Sequence, residues 1–282
     1  MNIVEEILIQ GLMYSVLALG VMISYKVLDI PDLTVDGSFP LGVVVSAICI
    51  TQGLNPWISL FIALFAGFLA GVLTGILHVK LRISALLSGI LTMTALYSIN
   101  LVIAQGRSNI PLFQENTLFS NITNAKTMVL LLAVIVLLIK LLLDILLSTR
   151  FGYLLKITGD NAHLVNVLGH DLNKVKVIGL GISNALVALS GALAASINSY
   201  YDISMGTGMV VLGLSSVILG SVIFNKVSIK STTRVIIGAI AYRAIISIAL
   251  SLNMNPQLMK LATVIIFIIA IYFNNRQEGA FS

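Results

Sequence analysis

Charge is what this chain has least of. Of its 282 residues only 10% are Asp, Glu, Lys or Arg, while 58% are hydrophobic and the mean hydropathy is +1.06. A soluble domain carries roughly 25% charged residues, so the composition excludes an ordinary soluble protein and leaves little room for a separate soluble domain. Cysteine is scarcer still: Cys49 stands alone, which excludes an internal disulfide and a cysteine metal cluster. Its apolar surroundings read as those of a plain buried thiol. The histidines are His78, His163 and His170, all beside basic connections, and they read as surface residues. His163 and His170 are spaced to share a helix face, yet no carboxylate completes a metal-ligand pattern there. The sequence has no G-x-x-x-x-G-K-[ST] phosphate loop, no H-E-x-x-H and no G-x-S-x-G elbow. It also lacks an Asp/Glu/His relay of the kind that serves proton coupling. Basic residues are missing from the N-terminus, where Glu5 and Glu6 stand instead, so the first apolar segment is expected to be a retained span rather than a cleaved signal.

What is abundant is apolar sequence in runs near the roughly 20 residues that cross a bilayer. The runs fall at about 7–24, 38–51, 57–78, 84–105, 128–147, 177–197, 207–225, 235–251 and 258–273. The fold class is therefore an all-α polytopic membrane protein with about nine spans, eight to ten, occupying 1–282 as one transmembrane domain. The second run is short, which predicts an irregular half. The net charge of +5 records orientation rather than nucleic-acid binding. Lys80 and Arg82 lie in one connection, Arg150, Lys156, Lys174 and Lys176 in another, and Lys226, Lys230 and Arg234 in a third. If these are cytoplasmic, the spans alternate, the N-terminus is outside and the tail "NNRQEGAFS" is inside.

A repeat emerges from that orientation. The span 7–24 is followed by "YKVLDIPDLTVDGSFPLG", and the span 177–197 by "SINSYYDISMGTGMVVLG". Each linker holds an Asp-Ile pair, then glycine, then another apolar run, and the two units run in opposite directions. Inverted repeats with interrupted helices are a recurring transporter architecture. The first linker gathers Asp29, Asp32 and Asp36 beside Pro31, Gly37, Ser38 and Pro40. The prolines lack amide hydrogens and disfavour helix just before them, and Gly37 permits conformations that other residues avoid. Asp36 and Ser38 are expected to cap the helix that follows. A polar turn at the cytoplasmic surface and a broken helix beside a translocation path both fit, and Asp202 marks the matching place in the second unit. Lys140 and Asp144 are spaced to pair on one helix face. Arg243 is the deepest basic residue; it should face the bundle or snorkel, as a structural partner or a pathway group.

The longest basic connection, 148–176, contains "DNAHLVNVLG", a short amphipathic helix. Asp160 is expected to cap it, Ala162, Leu164, Val165 and Leu168 to face one side, and Gly169 to end it. A rigid surface helix between two spans suits docking into another protein's groove. It lacks the strong basic face of a helix lying on lipid.

This stretch resembles the cytoplasmic coupling region of ABC-importer permeases of the branched-chain amino-acid and ribose type. Lys156, Gly159, Asp160, Asn161, Leu164, Gly169, Ser190 and Gly191 occupy that family's pattern of basic residue, polar turn, short helix ending in Gly, and small-residue span. "LALGVMISYKVLDIPDLTVDGSFPLG" resembles the superfamily's first span and broken second helix, and "DLTVDGSFPLG" is closest to a branch associated with tryptophan and related substrates. The chain departs from the family's Arg-Ala pair before the turn, with Lys156-Ile157 in "LLKITGDN". The resemblance implies the permease subunit of an importer in the plasma membrane of a bacterium, homodimeric around a central path and carrying a small solute such as an aromatic amino acid. It further implies separate cytoplasmic ATPase subunits that bind ATP and Mg, a contact surface that includes His163, and an extracytoplasmic solute-binding protein. The chain itself would hold no cofactor and hydrolyse no ATP. An ion-coupled secondary transporter is the alternative, since it too would have inverted repeats and a broken helix. An intramembrane enzyme is disfavoured by the missing catalytic constellation.

Overall fold

Glu5 accepts a hydrogen bond from the Asn2 amide at 3.1 Å, and with Glu6 it sets negative charge at the positive end of α1 (Ile3–Val21). The computed structural model describes residues 2–120, 122, 124–224, 229–251 and 258–278. In it α1 continues into a turn of π-helix, Met22–Val27, and the chain then turns through Asp29, whose φ of 53° is left-handed. Helix α2 (Val35–Thr51) contains Pro40. Because proline has no amide hydrogen, the Asp36 carbonyl loses its usual donor four residues on, and the backbone of Gly206 sits against that carbonyl instead.

The rest of the chain follows its punctuation. Asn55 accepts from the Trp57 amide at 2.9 Å and Pro56 opens α3 (Pro56–Val79). Ser84 caps α4 (Ala85–Ile103), Asn124 caps α5 (Ala125–Ser148) and Thr149 caps α6 (Arg150–Asp160). Then come α7 (Ala162–Val167) and α8 (Leu172–Asn198), the latter capped by Asp171. Strand β1 (Asn109–Pro111) pairs antiparallel with β2 (Tyr200–Asp202), Ile110 opposite Tyr201. A 3-10 turn, Ile203–Gly206, leads into α9 (Met209–Ile223), followed by α10 (Ser231–Ser251) and α11 (Met259–Glu278). The two strands add a minor β element to an otherwise all-α fold; three residues each leave no periodicity for a sequence reading to find.

The described residues of the nine apolar runs lie mainly in helices, but length and apolarity qualify seven of the described stretches as spans: 3–27, 56–79, 85–103, 125–148, 172–198, 203–223 and 231–251. Helix α2, at 17 residues, is shorter than these, in keeping with the irregular half expected before it.

Close contacts fix the helix directions. Gly67, Gly71 and Gly75 of α3 lie against Ala188, Leu180 and Val177 of α8, so these helices are antiparallel. Ser38 and Gly42 of α2 meet Asn184 and Ala188, so α2 runs with α8. The Ser183 and Ser190 hydroxyls donate to the Gly20 and Met13 carbonyls, both at 2.8 Å, so α1 runs against α8. Helix α9 runs with α1, because Gly213 meets Val21 and Ser221 meets Lys26. The unit α1–break–α2 is thus inverted relative to α8–break–α9, as the linkers suggested.

The same registers gather the basic connections at one end of the bundle. Asp144 of α5 accepts from Lys230 and Thr232 at 3.2 and 2.6 Å, and Gly220 lies against Arg234. Lys226 and residues 279–282 of the tail, also used to assign sidedness, lie outside the described residues. Burial separates a core from a periphery: 83% of the span in α8 is buried, against 17% of that in α5. The repeat helices form the centre, and α5 presents its Leu-rich surface outward.

Candidate functional site

The first break is built around Asp32. Its Oδ1 accepts from the Thr34 amide at 2.9 Å and its Oδ2 from Asn184 Nδ2 at 2.7 Å. Asn184 Oδ1 in turn accepts from Ser38 Oγ at 2.7 Å, and its Nδ2 also donates to the Leu180 carbonyl at 3.1 Å. Asp32 is 5% exposed, while Asn184 and Ser38 are wholly buried. An ionised carboxylate only accepts, so it fixes the orientation of the Asn184 amide. Thr34 and Thr74 hydroxyls pair at 2.8 Å beside this group. Asp29 stands apart, exposed at the left-handed turn.

Asp36 does not cap its own helix. The N-cap of α2 is Thr34, and Asp36 lies in the first turn with its carboxylate directed across the bundle. Oδ2 accepts from the Gly208 amide at 3.1 Å and Oδ1 from the Val210 amide at 2.8 Å. Ser38 likewise serves Asn184 rather than the start of α2. The reason is that α2 and α9 run antiparallel with their first turns meeting, so the unsatisfied amides nearest Asp36 belong to the other repeat. Gly208, with φ +88°, is the N-cap of α9 and has no side chain to cap with. Two positive helix ends therefore converge on one carboxylate. Gly37 allows α4 to approach, packing against Met93 and Leu96. Beside Asp36 lies a cavity of about 490 Å³, bordered by α4 and the 3-10 turn.

In the second break Asp202 serves chiefly its own turn, with Asn109 of β1 as a lesser partner. Its Oδ1 accepts from the Ser204 amide at 2.8 Å and from the Ser204 hydroxyl, and these bonds hold its carboxyl below the usual range. Arg243 faces the bundle: its guanidinium sits 5.2 Å over the Tyr14 ring, which stacks on Phe39 at 6.2 Å. Lys140 pairs with Asp144 at 2.8 Å as its spacing predicted.

The 148–176 connection forms two helices, not one. Asp160 ends α6, and Asn161 is the cap of α7, accepting from the Leu164 amide at 3.4 Å. Asp160 was the expected cap; the break between helices falls one residue later. Gly169 has φ +76°, its amide donates to the Asn166 carbonyl and that of His170 to the Val165 carbonyl, the reverse turn that glycine favours at a helix end. Val165, expected on the outer face, is wholly buried, whereas Leu164, Val167 and Leu168 are exposed. Leu164, Val167 and Leu168 share a face at three- and four-residue spacing, which turns Val165 inward. His163 is exposed as expected, and Lys156 reaches the Leu147 carbonyl at 3.2 Å. Gly159 lies directly on the Val27 carbonyl, so α6 rests on the π-helical turn that opens the first break.

Sequence reasoning missed Asn184 and Asn100. Each is a lone amide within an apolar stretch, a signal that was present in "GLGISNALVALSG" and "YSINLVIA". Ser190 and Gly191, in contrast, are both used, against Met13 and Phe39.

Residues 3–271 match the family described as branched-chain amino acid transport system / permease component. The chain is 44% identical over 269 residues to the tyrosine transport system permease protein of Clostridioides difficile, covering 95% of this chain and 90% of that protein. It is 36% identical over 283 residues to an uncharacterized protein of Rickettsia prowazekii, covering 99% and 100%. Among solved structures, PsaBC from Streptococcus pneumoniae in complex with Fab covers 96% of this chain and 91% of that one, at TM-score 0.54 and 14% identity, a likeness of fold alone. The interrupted, inverted helices thus belong to a member of the branched-chain amino acid transport system permease family, a multi-pass plasma-membrane permease of an ABC transport system.

Proposed function

We propose that this permease imports an aromatic amino acid, tyrosine or a close relative, through a path beside the Asp36 junction. Two copies assemble around that path, each crossing the membrane nine times, with α2 and α11 as the additional spans. Two cytoplasmic ATPase subunits bind ATP and Mg and dock on α7. An extracytoplasmic binding protein delivers the solute. The substrate follows from the name of the Clostridioides difficile relative, which is 44% identical.

One chain of contacts carries the reading. From the exposed Leu164, Val167 and Leu168, force passes through α6 to Gly159, which bears on Val27 at the π-helical turn. That turn leads to Asp32, held by Asn184, and to Asp36, which grips the start of α9. Leu155 and Leu28 both press on Gly179, tying α6 to α8 as well. A push on α7 therefore reaches both repeats through packed backbone rather than through a flexible loop. The glycine turn at Gly169 keeps α7 fixed relative to α8.

Replacing Leu164, Val167 and Leu168 by Asp tests the docking face. The full-length permease should insert normally, retain about tenfold less ATPase on co-purification, and lose ATP-driven tyrosine uptake in proteoliposomes. Normal ATPase retention with full uptake would sink the assignment of α7.

A further inference from the structure

We propose that the cavity beside Asp36 recognises a primary ammonium group borne on an apolar, aromatic-sized body, with Asn100 Oδ1 as the acceptor. The proposal rests on the permease reading above and specifies the charge its substrate must present at this point.

The polar lining is rich in acceptors. Asn100 is 1% exposed; its Nδ2 donates to the Gly37 carbonyl at 3.3 Å, which fixes the amide orientation because the opposite one would set oxygen against oxygen. Its Oδ1 is then a buried acceptor without a donor, and leaving such an atom unmet costs about 1–3 kcal/mol. A ligand that supplies the donor recovers that cost. Three of the five hydroxyls in the lining have already committed their hydrogens, Thr94 to the Ile90 carbonyl at 2.8 Å, Thr207 to the Ser204 carbonyl at 2.9 Å, and Ser204 to Asp202; Tyr97 and Ser98 carry the other two. Each presents lone pairs. The Asp36 carboxylate accepts from two amides and keeps further acceptor capacity on both oxygens.

No Lys, Arg or His lines the cavity among the described residues. A carboxylate beside Asp36 and Asn100 Oδ1 would meet acceptors, whereas an ammonium, with three donors and no acceptor, matches them. The remaining wall is apolar, formed by Pro40, Met93, Ile203 and the ring of Tyr97. A volume of about 490 Å³ lies within the range that holds a small ligand. For an amino acid, this arrangement turns the ammonium toward α4 and leaves the carboxylate toward the mouth.

The test is direct binding to the full-length permease in lipid nanodiscs, with radiolabelled tyramine as the probe. Tyramine should bind and L-tyrosine should displace it, while 3-(4-hydroxyphenyl)propionate, which lacks the amine, should compete at least about tenfold less well. Asn100→Leu should weaken tyramine binding by about tenfold or more, and Asn100→Asp should retain it. Undetectable tyramine binding, equal competition by the desamino acid, or an unaffected Asn100→Leu would each overturn the proposal. Should Asn100→Leu fail to fold, the analogue series on the unaltered chain decides alone. ATP-driven tyrosine uptake without tyramine binding would reject this site and keep the permease reading. Tyramine binding without ATP-driven uptake of any amino acid would do the reverse.

Discussion

The two breaks contain the same Asp-Ile pair and are built in opposite ways. At Asp29–Asp36 the carboxylates reach partners 152 and 174 residues away, Asn184 and Val210. At Asp202 the carboxylate turns back chiefly on Ser204, two residues on, and only secondarily meets Asn109. One break ties the repeats together across the bundle; the other chiefly finishes its own turn. The difference follows from position. Where Asp32, Thr34 and Ser38 are buried among packed helices, their polar groups must find donors and acceptors in a neighbour. An interrupted helix near the surface can cap itself. The pseudo-symmetry of the chain is therefore one of backbone path, and the side chains divide the work unequally.

The largest effect is expected where a single amide satisfies three groups. Asn184→Leu strips a donor from Asp32, an acceptor from Ser38 and leaves both buried. Leaving several buried polar groups without their partner costs about 1–3 kcal/mol for each. The detergent-solubilised permease should melt well below the unaltered chain. Adding Asp32→Leu to it should recover part of the loss, since the stranded polar group goes with it. If the single variant is as stable as the parent, the first break is no more dependent on distant partners than the second, and the contrast fails.

Asp36 comes next. Asp36→Leu removes two charge-assisted bonds to the start of α9, worth about 2–3 kcal/mol together, and should abolish uptake while most of the protein still folds. Asp36→Asn should fall between, because its oxygen can keep one amide while its NH₂ group confronts the other. Uptake and thermal stability measured on all three forms check this order. If Asn matches Asp in both, the carboxylate's second oxygen is dispensable and only one amide matters.

How much of this was legible in the sequence divides along the same line. Local devices were readable: Gly169 at a helix end, the Lys140–Asp144 pair and the shortness of the second apolar helix all depend on residues near one another. The grouping of the basic connections was readable too: Lys80, Arg150 and Lys230 sit in connections that meet at one end of the bundle. The partners of Asp36 were not, since an Asp beside a helix start looks the same whether it caps that helix or one 172 residues on. Asp160 and Asn161 illustrate the same limit at short range: either side chain can cap, and only the break in backbone direction selects Asn161. The inward turn of Val165 depends on α6 being a separate helix, which the polar stretch "KITGDN" conceals.

The smallest effect is expected at Asp202, and it has a defined pH dependence. Its folded-state pKa lies below the ordinary value of 3.8, chiefly through the Ser204 hydroxyl and then the Ser204 amide. A lowered carboxylate contributes stability that is complete above the ordinary value and is lost as pH falls through the folded one. At neutral pH the second break should therefore hold, and only acid beyond the ordinary carboxylate range should loosen it. Beside it the buried Tyr201 hydroxyl is pushed up to about 12, first by burial and then by the charge of Asp202, so it stays protonated throughout. Asp202→Asn should lower protection of the Ser204 amide, cost about 0.5 kcal/mol as the loss of part of an exposed cap, and leave uptake near normal. Amide exchange, normalised for the intrinsic effect of pH, should show the acid loosening in the parent and a flat profile in the variant. A fall in uptake as deep as that of Asp36→Leu would mean that the second break also links distant parts of the bundle, and that the two units share their work more evenly than their hydrogen bonds indicate.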